Sequence, residues 1–226
     1  MKIYEDHNLL VWNKTAGISV FPLHSDPSAP CVLYEIQRYN PLLQKISIEG
    51  FECGIAHRLD ISTSGALYIA KNITYLKQLR ELFREKELVK NYLFLSSEST
   101  KNILKCDLPI GHHPKNKRKM IVQKNKTYRC RGKWYPAHTS FHILGTYQNQ
   151  TLYQAQMKSG VMHQIRVHAS FCGIPLDGDF LYDSKTSSVL PTGFALHHRG
   201  IFYKNLPNIP FELPKNWPNW VHDIVL

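Results

Sequence analysis

The chain has 226 residues, 43% hydrophobic and 20% charged, enough for a sizeable core and unlike a disordered segment. A formal net charge of +11 points to a polyanionic partner, nucleic acid first and an anionic membrane surface second. No stretch approaches the roughly 20 apolar residues of a membrane span, the opening Met1–Asp6 lacks a signal-peptide core, and five scattered cysteines without a Cys-x-x-Cys pair read as reduced thiols, so a cytoplasmic protein without a membrane partner is expected.

In chain order, residues 2–22 read as a hairpin, with Leu9-Leu10-Val11-Trp12 as one arm, Asn13 to Gly17 as the turn and Ile18 to Phe21 as the second arm. Lys14 in that turn is either a phosphate contact or a solvated lysine. Residues 23–30, with two prolines, form a loop, and Val32, Leu33 and Ile36 predict a helix over about 31–39. Two apolar runs, Gly54-Ile55-Ala56 and Ala66 to Ala70, read as buried strands flanking the loop His57-Arg58-Leu59-Asp60-Ile61-Ser62-Thr63-Ser64-Gly65. Gly65 closes that loop in a conformation a side chain would not allow. Asn72 caps a helix through about Lys86, with Leu76, Leu79 and Phe83 on its buried face.

Leu88 to Ser97 is a strand with Lys90, Tyr92 and Phe94 on one face. Residues 103–110 read as another strand, followed by a basic turn from Gly111 through Lys115, Lys117, Arg118 and Lys119. Lys124, Lys126, Arg129, Arg131 and Lys133 follow, and no acidic residue occurs between Asp107 and Asp177. Such a run repels itself unless a polyanion offsets it. Tyr128, Trp134 and Tyr135 lie among these charges, either to stack on bases or to pack beneath the loop. Pro136 to Gly145 and Thr151 to Lys158 read as paired strands. Met162 to Cys172 reads as a helix ended by Gly173, with Met162, Ile165, Ala169 and Cys172 on its core face and His163, Arg166 and Ser170 on another, so that Arg166 projects away from the core. The proline-rich tail, from Pro207 to Pro218, excludes a long helix there. One domain over residues 1–226 accounts for this pattern.

The histidines are arranged poorly for metal binding. His138 and His142 fall in a strand, His112-His113 and His197-His198 are adjacent pairs, and no His-Glu-x-x-His accompanies them. No metal is expected, and no Gly-rich phosphate loop or Gly-x-Ser-x-Gly elbow is present. A carboxylate beside a guanidinium is a poor general acid but suits a nucleophile or a stabiliser at a developing oxocarbenium carbon. For Asp60 the residues therefore leave two roles: glycosidic-bond chemistry on a nucleic acid, or a turn cap paired with Arg58.

His57-Arg58-Leu59-Asp60 with Thr63-Ser64-Gly65 resembles the signature of the RluA-type pseudouridine synthases. The opening, with Ile3-Tyr4-Glu5-Asp6 and Asn13-Lys14-Thr15-Ala16-Gly17, is similar to the first motif of that family. Lys90-Asn91-Tyr92-Leu93 resembles its Lys-x-Tyr-Leu strand, and Pro109-Ile110-Gly111 through Lys119-Met120 its basic turn. His163-Gln164-Ile165-Arg166-Val167-His168 with Gly173, Pro175 and Gly178-Asp179 resembles its third motif. The pieces come in the family's order over most of residues 3–182. Thr15, Ser62 and Val161-Met162 depart from the common pattern.

The resemblance implies an α+β fold, a single pseudouridine-synthase-like domain on a mixed, mostly antiparallel sheet with flanking helices. It implies isomerisation of selected uridines in RNA, ribosomal or transfer, without a cofactor or metal; a monomer is expected. Asp60 is then the catalytic aspartate, Tyr92 the tyrosine that stacks on the target base and is a candidate proton acceptor, and Arg166 the arginine paired with the aspartate. Arg58 would fill the stack vacated by the flipped uridine and Ile165 would line the pocket. His57, Lys90, His163, Lys117, Arg118 and Lys119 are expected to contact the RNA. The small basic domain that some members carry in front is not expected here. The rival reading is a non-catalytic RNA-binding or RNA-folding helper on the same fold.

Overall fold

The computed structural model describes residues 1–100, 104–182 and 193–225. In chain order its elements are β1 (Lys2–Glu5), β2 (Leu9–Lys14), α1 (Val32–Tyr39), β3 (Ser64–Ala70), α2 (Ile73–Arg84), β4 (Val89–Ser96), β5 (Leu104–Cys106), β6 (Ile110–His112), β7 (Met120–Val122), β8 (Arg131–Tyr135), β9 (Thr139–Tyr147), β10 (Gln150–Met157), α3 (Gln164–Phe171), β11 (Leu196–Phe202) and α4 (Asn219–Val225). They fall into two compact units, Met1–Leu88 with His197–Lys215, and Val89–Leu196 with the residues after 215. The expected α+β class with a mostly antiparallel sheet holds.

In the first unit, β2 lies between β1 and β3 and pairs antiparallel with both, while β11 joins β3 in parallel through His197↔Ser64 and His198↔Gly65. The hairpin is therefore β1–β2. Ile18 to Phe21, expected as its second arm, makes only one bridge, Ser19↔Cys31. Alternation along β2 and β3 puts Leu9, Val11, Ala66, Tyr68 and Ala70 on one face, where Leu76 and Leu79 of α2 cover them. Burying each of those leucines contributes about 1.5–3 kcal/mol. Asn72 caps α2 as expected, its Oδ1 accepting the Tyr75 N–H at 2.8 Å. On the other face Trp12 reaches α1, donating Nε1–H to Glu35 at 2.8 Å and packing on Tyr39.

The second unit holds antiparallel β4, β10, β9 and β5 in that order, and a three-stranded antiparallel sheet with β6 between β7 and β8. The expected strand over 103–110 is two strands in different sheets, interrupted at Asp107-Leu108-Pro109 where proline supplies no donor; residue 103 lies outside the described residues. Phe94 stacks on Tyr153 at 5.1 Å and meets Phe141 edge-on. Ile110, Met120, Val122, Ala137, Val167 and Tyr182 form a further core between the small sheet and α3. The tail adds only the short α4, beginning after Pro218. Its Ile224 sits over Gly145, and Trp220 stacks on Tyr147. Among the described residues no helix is long and apolar enough to cross a membrane. The five cysteines are free thiols.

Candidate active site

The loop carrying Asp60 belongs to the first unit and is tied down at both ends. On the entering side Ala56 N–H donates to Tyr68 and Ala70 N–H donates to Gly54, with a single bridge between Ile55 and Ile69, so the expected strand is only this short pairing. On the leaving side Gly65 has φ of +113°, and a Cβ there would lie 2.2 Å from the His198 carbonyl oxygen. The glycine is thus required by how closely β11 approaches β3. Within the loop Leu59 is buried, Arg58 is exposed, and Asp60 is half-buried, its carbonyl accepting the Thr63 N–H at 3.1 Å.

Beneath the loop lies Lys14, and neither reading from sequence fits it: it is 0% exposed. Its Nζ donates to the carbonyls of Thr15 (2.9 Å), Ile61 (2.9 Å) and Thr63 (2.7 Å), so all three protons are spent on backbone and two bonds hold the loop directly after Asp60. Burial pushes its pKa down to about 8, against the pull of the Asp60 and Glu35 charges. Gly17 N–H adds a second bond to the Ile61 carbonyl. The side of the loop is held by imidazoles. Ser64 Oγ bonds His197 Nδ1 at 2.9 Å, and His198 Nδ1–H donates to the Ala66 carbonyl at 2.6 Å. Burial drives the His197 pKa down to about 3, so this ring is neutral. His57 points into the unit: its Nε2 accepts the Tyr68 N–H at 3.1 Å and its ring lies 4.8 Å from Phe83.

In the second unit, Lys90, Tyr92 and Phe94 share a face of β4 as expected, with Tyr92 opposite Ala155. Lys90 is only 8% exposed, and burial pushes its pKa down to about 8, so it is no ordinary surface cation. Helix α3 departs most from expectation. It is two residues shorter at its start, and residues 164–169 are buried all round. Arg166, expected away from the core, is 7% exposed and forked onto Asp179, Nε to Oδ2 at 2.6 Å and Nη2 to Oδ1 at 2.8 Å. Its guanidinium also lies 4.9 Å from the Tyr182 ring and 4.4 Å from the Phe194 ring. The amphipathic reading failed because a two-point carboxylate partner lets this charge enter the interior.

His163 stands at the N-terminal cap of α3 with a left-handed φ of +54°, and its Nδ1 bonds the Tyr182 hydroxyl at 2.8 Å. That hydroxyl also accepts the Met120 N–H at 2.8 Å, linking α3 to β7. Gln164 clamps the same turn through Ser159, Val161, His138 and Thr139, and Ile165 is buried. The basic turn is prebuilt: His113 Nδ1 accepts the N–H groups of Lys115 and Asn116, leaving the Lys117 and Arg118 side chains exposed, while Lys119 Nζ lies 5.6 Å from the Tyr182 ring. Sequence reasoning named Lys14, Asp179, His197 and His198 without their bracing roles, and did not name Tyr182. One signal was present for Asp179: Arg166 lies in the long acid-free stretch, and Asp177 and Asp179 are the first carboxylates after it.

The chain belongs to the RNA pseudouridylate synthase family, whose model matches residues 8–171, and within it to the RluA type. It is 36% identical over 199 residues to an uncharacterized RNA pseudouridine synthase of Synechocystis, covering 86% of this chain and 58% of that protein. Ribosomal large subunit pseudouridine synthase D of Yersinia pestis is 31% identical over 183 residues, 81% of this chain and 52% of that protein. The chain thus spans little more than half the length of these relatives. The fold matches that of human RNA pseudouridylate synthase domain containing 4, with a TM-score of 0.72 at 23% identity, over 98% of this chain and 90% of that one. Human RNA pseudouridylate synthase domain containing 1 gives a TM-score of 0.74 at 20% identity, over 97% and 85%.

Proposed function

We propose that this chain converts uridine in RNA to pseudouridine, with Asp60 acting at the ribose of a flipped-out nucleotide. The reaction breaks the bond from N1 to C1′, turns the uracil, joins C5 to C1′, and returns the proton lost from C5 to N1. The balance closes without an oxidant or a second substrate, so neither cofactor nor metal is required. The supporting observation is the anchoring of the Asp60 loop: Lys14 grips the backbone at Ile61 and Thr63, directly after the aspartate, and the pairing of β3 with β11 closes its end. A group that must meet one sugar carbon needs that preorganisation.

Asp60 serves either as nucleophile at C1′ or as base in a glycal route. Tyr92 stacks on the flipped uracil and accepts the C5 proton. Arg166, the family's charge partner for the aspartate, is held in one orientation by Asp179, and Ile165 lines the pocket. Arg58, exposed at the loop, fills the gap left in the RNA stack, which offsets part of the few kcal/mol that flipping costs. Lys117, Arg118 and Lys119 engage phosphates; His57, Lys90 and His163 support the nucleotide from within each unit. We take ribosomal or transfer RNA as the substrate, a monomer as the working form and the cytoplasm as the compartment.

The test is tritium release from RNA labelled at uracil C5, taken from cells lacking the gene. Release by wild type and none by Asp60→Ala, with RNA affinity retained, is the expected result. Normal turnover by Asp60→Ala would overturn the assignment. RNA binding by wild type without release, on both bulk RNA and ribosomal particles, would favour the non-catalytic helper.

A further inference from the structure

The face of the β7–β6–β8 sheet turned away from its core carries an aromatic platform outside the proposed catalytic residues. Ile110 faces the core, so its neighbour Gly111 faces outward. A Cβ on Gly111 would lie 2.8 Å from the Trp134 ring and 2.7 Å from the Cys130 side chain, so the glycine lets the indole lie down on the sheet. Tyr128 stacks on that indole at 6.4 Å with planes 25° apart, yet remains 40% exposed. A tight turn fixes it: Asn125 Oδ1 accepts from Thr127 N–H and Oγ1, and the Asn125 carbonyl accepts the Tyr128 N–H. Lys124, Lys126 and Arg129 flank Tyr128 in sequence, all exposed.

A solvated basic loop has no need of an ordered, exposed ring stacked on a second ring, and a packing aromatic would bury its outer edge. We propose that this face docks an unpaired RNA strand, with a base stacked on Tyr128 and phosphates on the cations around it. Flat aromatic surface serves any base, and the cations follow the backbone, so the face recognises single strand over duplex by exposure of the base rather than by its identity. The turn is already ordered, so little conformational freedom is lost on binding. The proposal rests on the reading above for the polymer being RNA.

The experiment uses the whole chain and fluorescein-labelled single-stranded oligo(U), read by anisotropy, with a fully paired RNA as control. Tyr128→Ala should weaken oligo(U) binding by roughly 5- to 150-fold, the range of one lost stacking contact, and Tyr128→Phe should restore it. Lys126→Gln with Arg129→Gln should flatten the slope of log Kd against log salt by about 1.4, at roughly 0.7 per phosphate contact. Wild type that does not bind oligo(U), Tyr128→Ala that binds like wild type, or equal loss on single-stranded and paired RNA would each overturn the proposal. Failure of the catalytic reading looks different: wild type would release no tritium while Tyr128→Ala still weakened oligo(U) binding.

Discussion

Replacing Lys14 by methionine keeps the length of the side chain and removes its charge from beneath the Asp60 loop. The ammonium makes three charge-assisted bonds to carbonyls, each contributing about 1.5–3 kcal/mol. Without it three carbonyls lose their donor, and Lys14→Met should lose about 2–5 kcal/mol at pH 7, a fall in Tm of roughly 5–15 °C for a chain of this size. The pH dependence carries a second signature. The folded pKa lies below the unfolded one, so between about pH 8 and 10.5 the unfolded chain binds the additional proton and wild-type stability gains as pH rises. Methionine has no such proton, so the gap between the two proteins should widen by up to about 3 kcal/mol across that window. Urea titrations of both proteins at several pH values measure this directly. An unchanged midpoint at pH 7 together with a constant gap up to pH 10.5 would refute the buried-clamp reasoning.

Gly65→Ala should leave little folded protein, because the new Cβ meets backbone of β11 at 2.2 Å and φ is +113°; a melt within a few degrees of wild type would contradict this. Asp179→Asn leaves the buried Arg166 guanidinium short of its carboxylate and should cost about 3–5 kcal/mol. Chemical denaturation reads the loss, and Asp179→Glu should recover only part of it, since the fork geometry changes.

Local elements were legible where one rule dominated. The capped α2, the helix after Cys31 and the β9–β10 pair follow from periodicity, a cap and turn residues, and the structure has them within a few residues of expectation. The loop at Asp60 was legible from its residue types and from Gly65. What supports the loop was not, because no local rule tells that a lysine after an apolar strand turns inward when three carbonyls converge on it. The same holds for His197 and His198, which reach the loop only through a parallel pairing between strands far apart in the sequence. Arg166 was misplaced for a related reason: an amphipathic pattern assumes charge faces water, and Asp179 removes that assumption.

The first unit is discontinuous, and this has a consequence for how the protein is made. A ribosome delivers residues 1–88 long before residues 197–202, so β1, β2, β3 and α2 can assemble while β11 does not yet exist. Until then Ser64 lacks its imidazole, the backbone beside Gly65 lacks its neighbour, and the leaving end of the Asp60 loop has nothing to close against. The aspartate is translated early and set late. A nascent chain stalled before β11 emerges would carry every residue of the loop signature and still present it without its final brace.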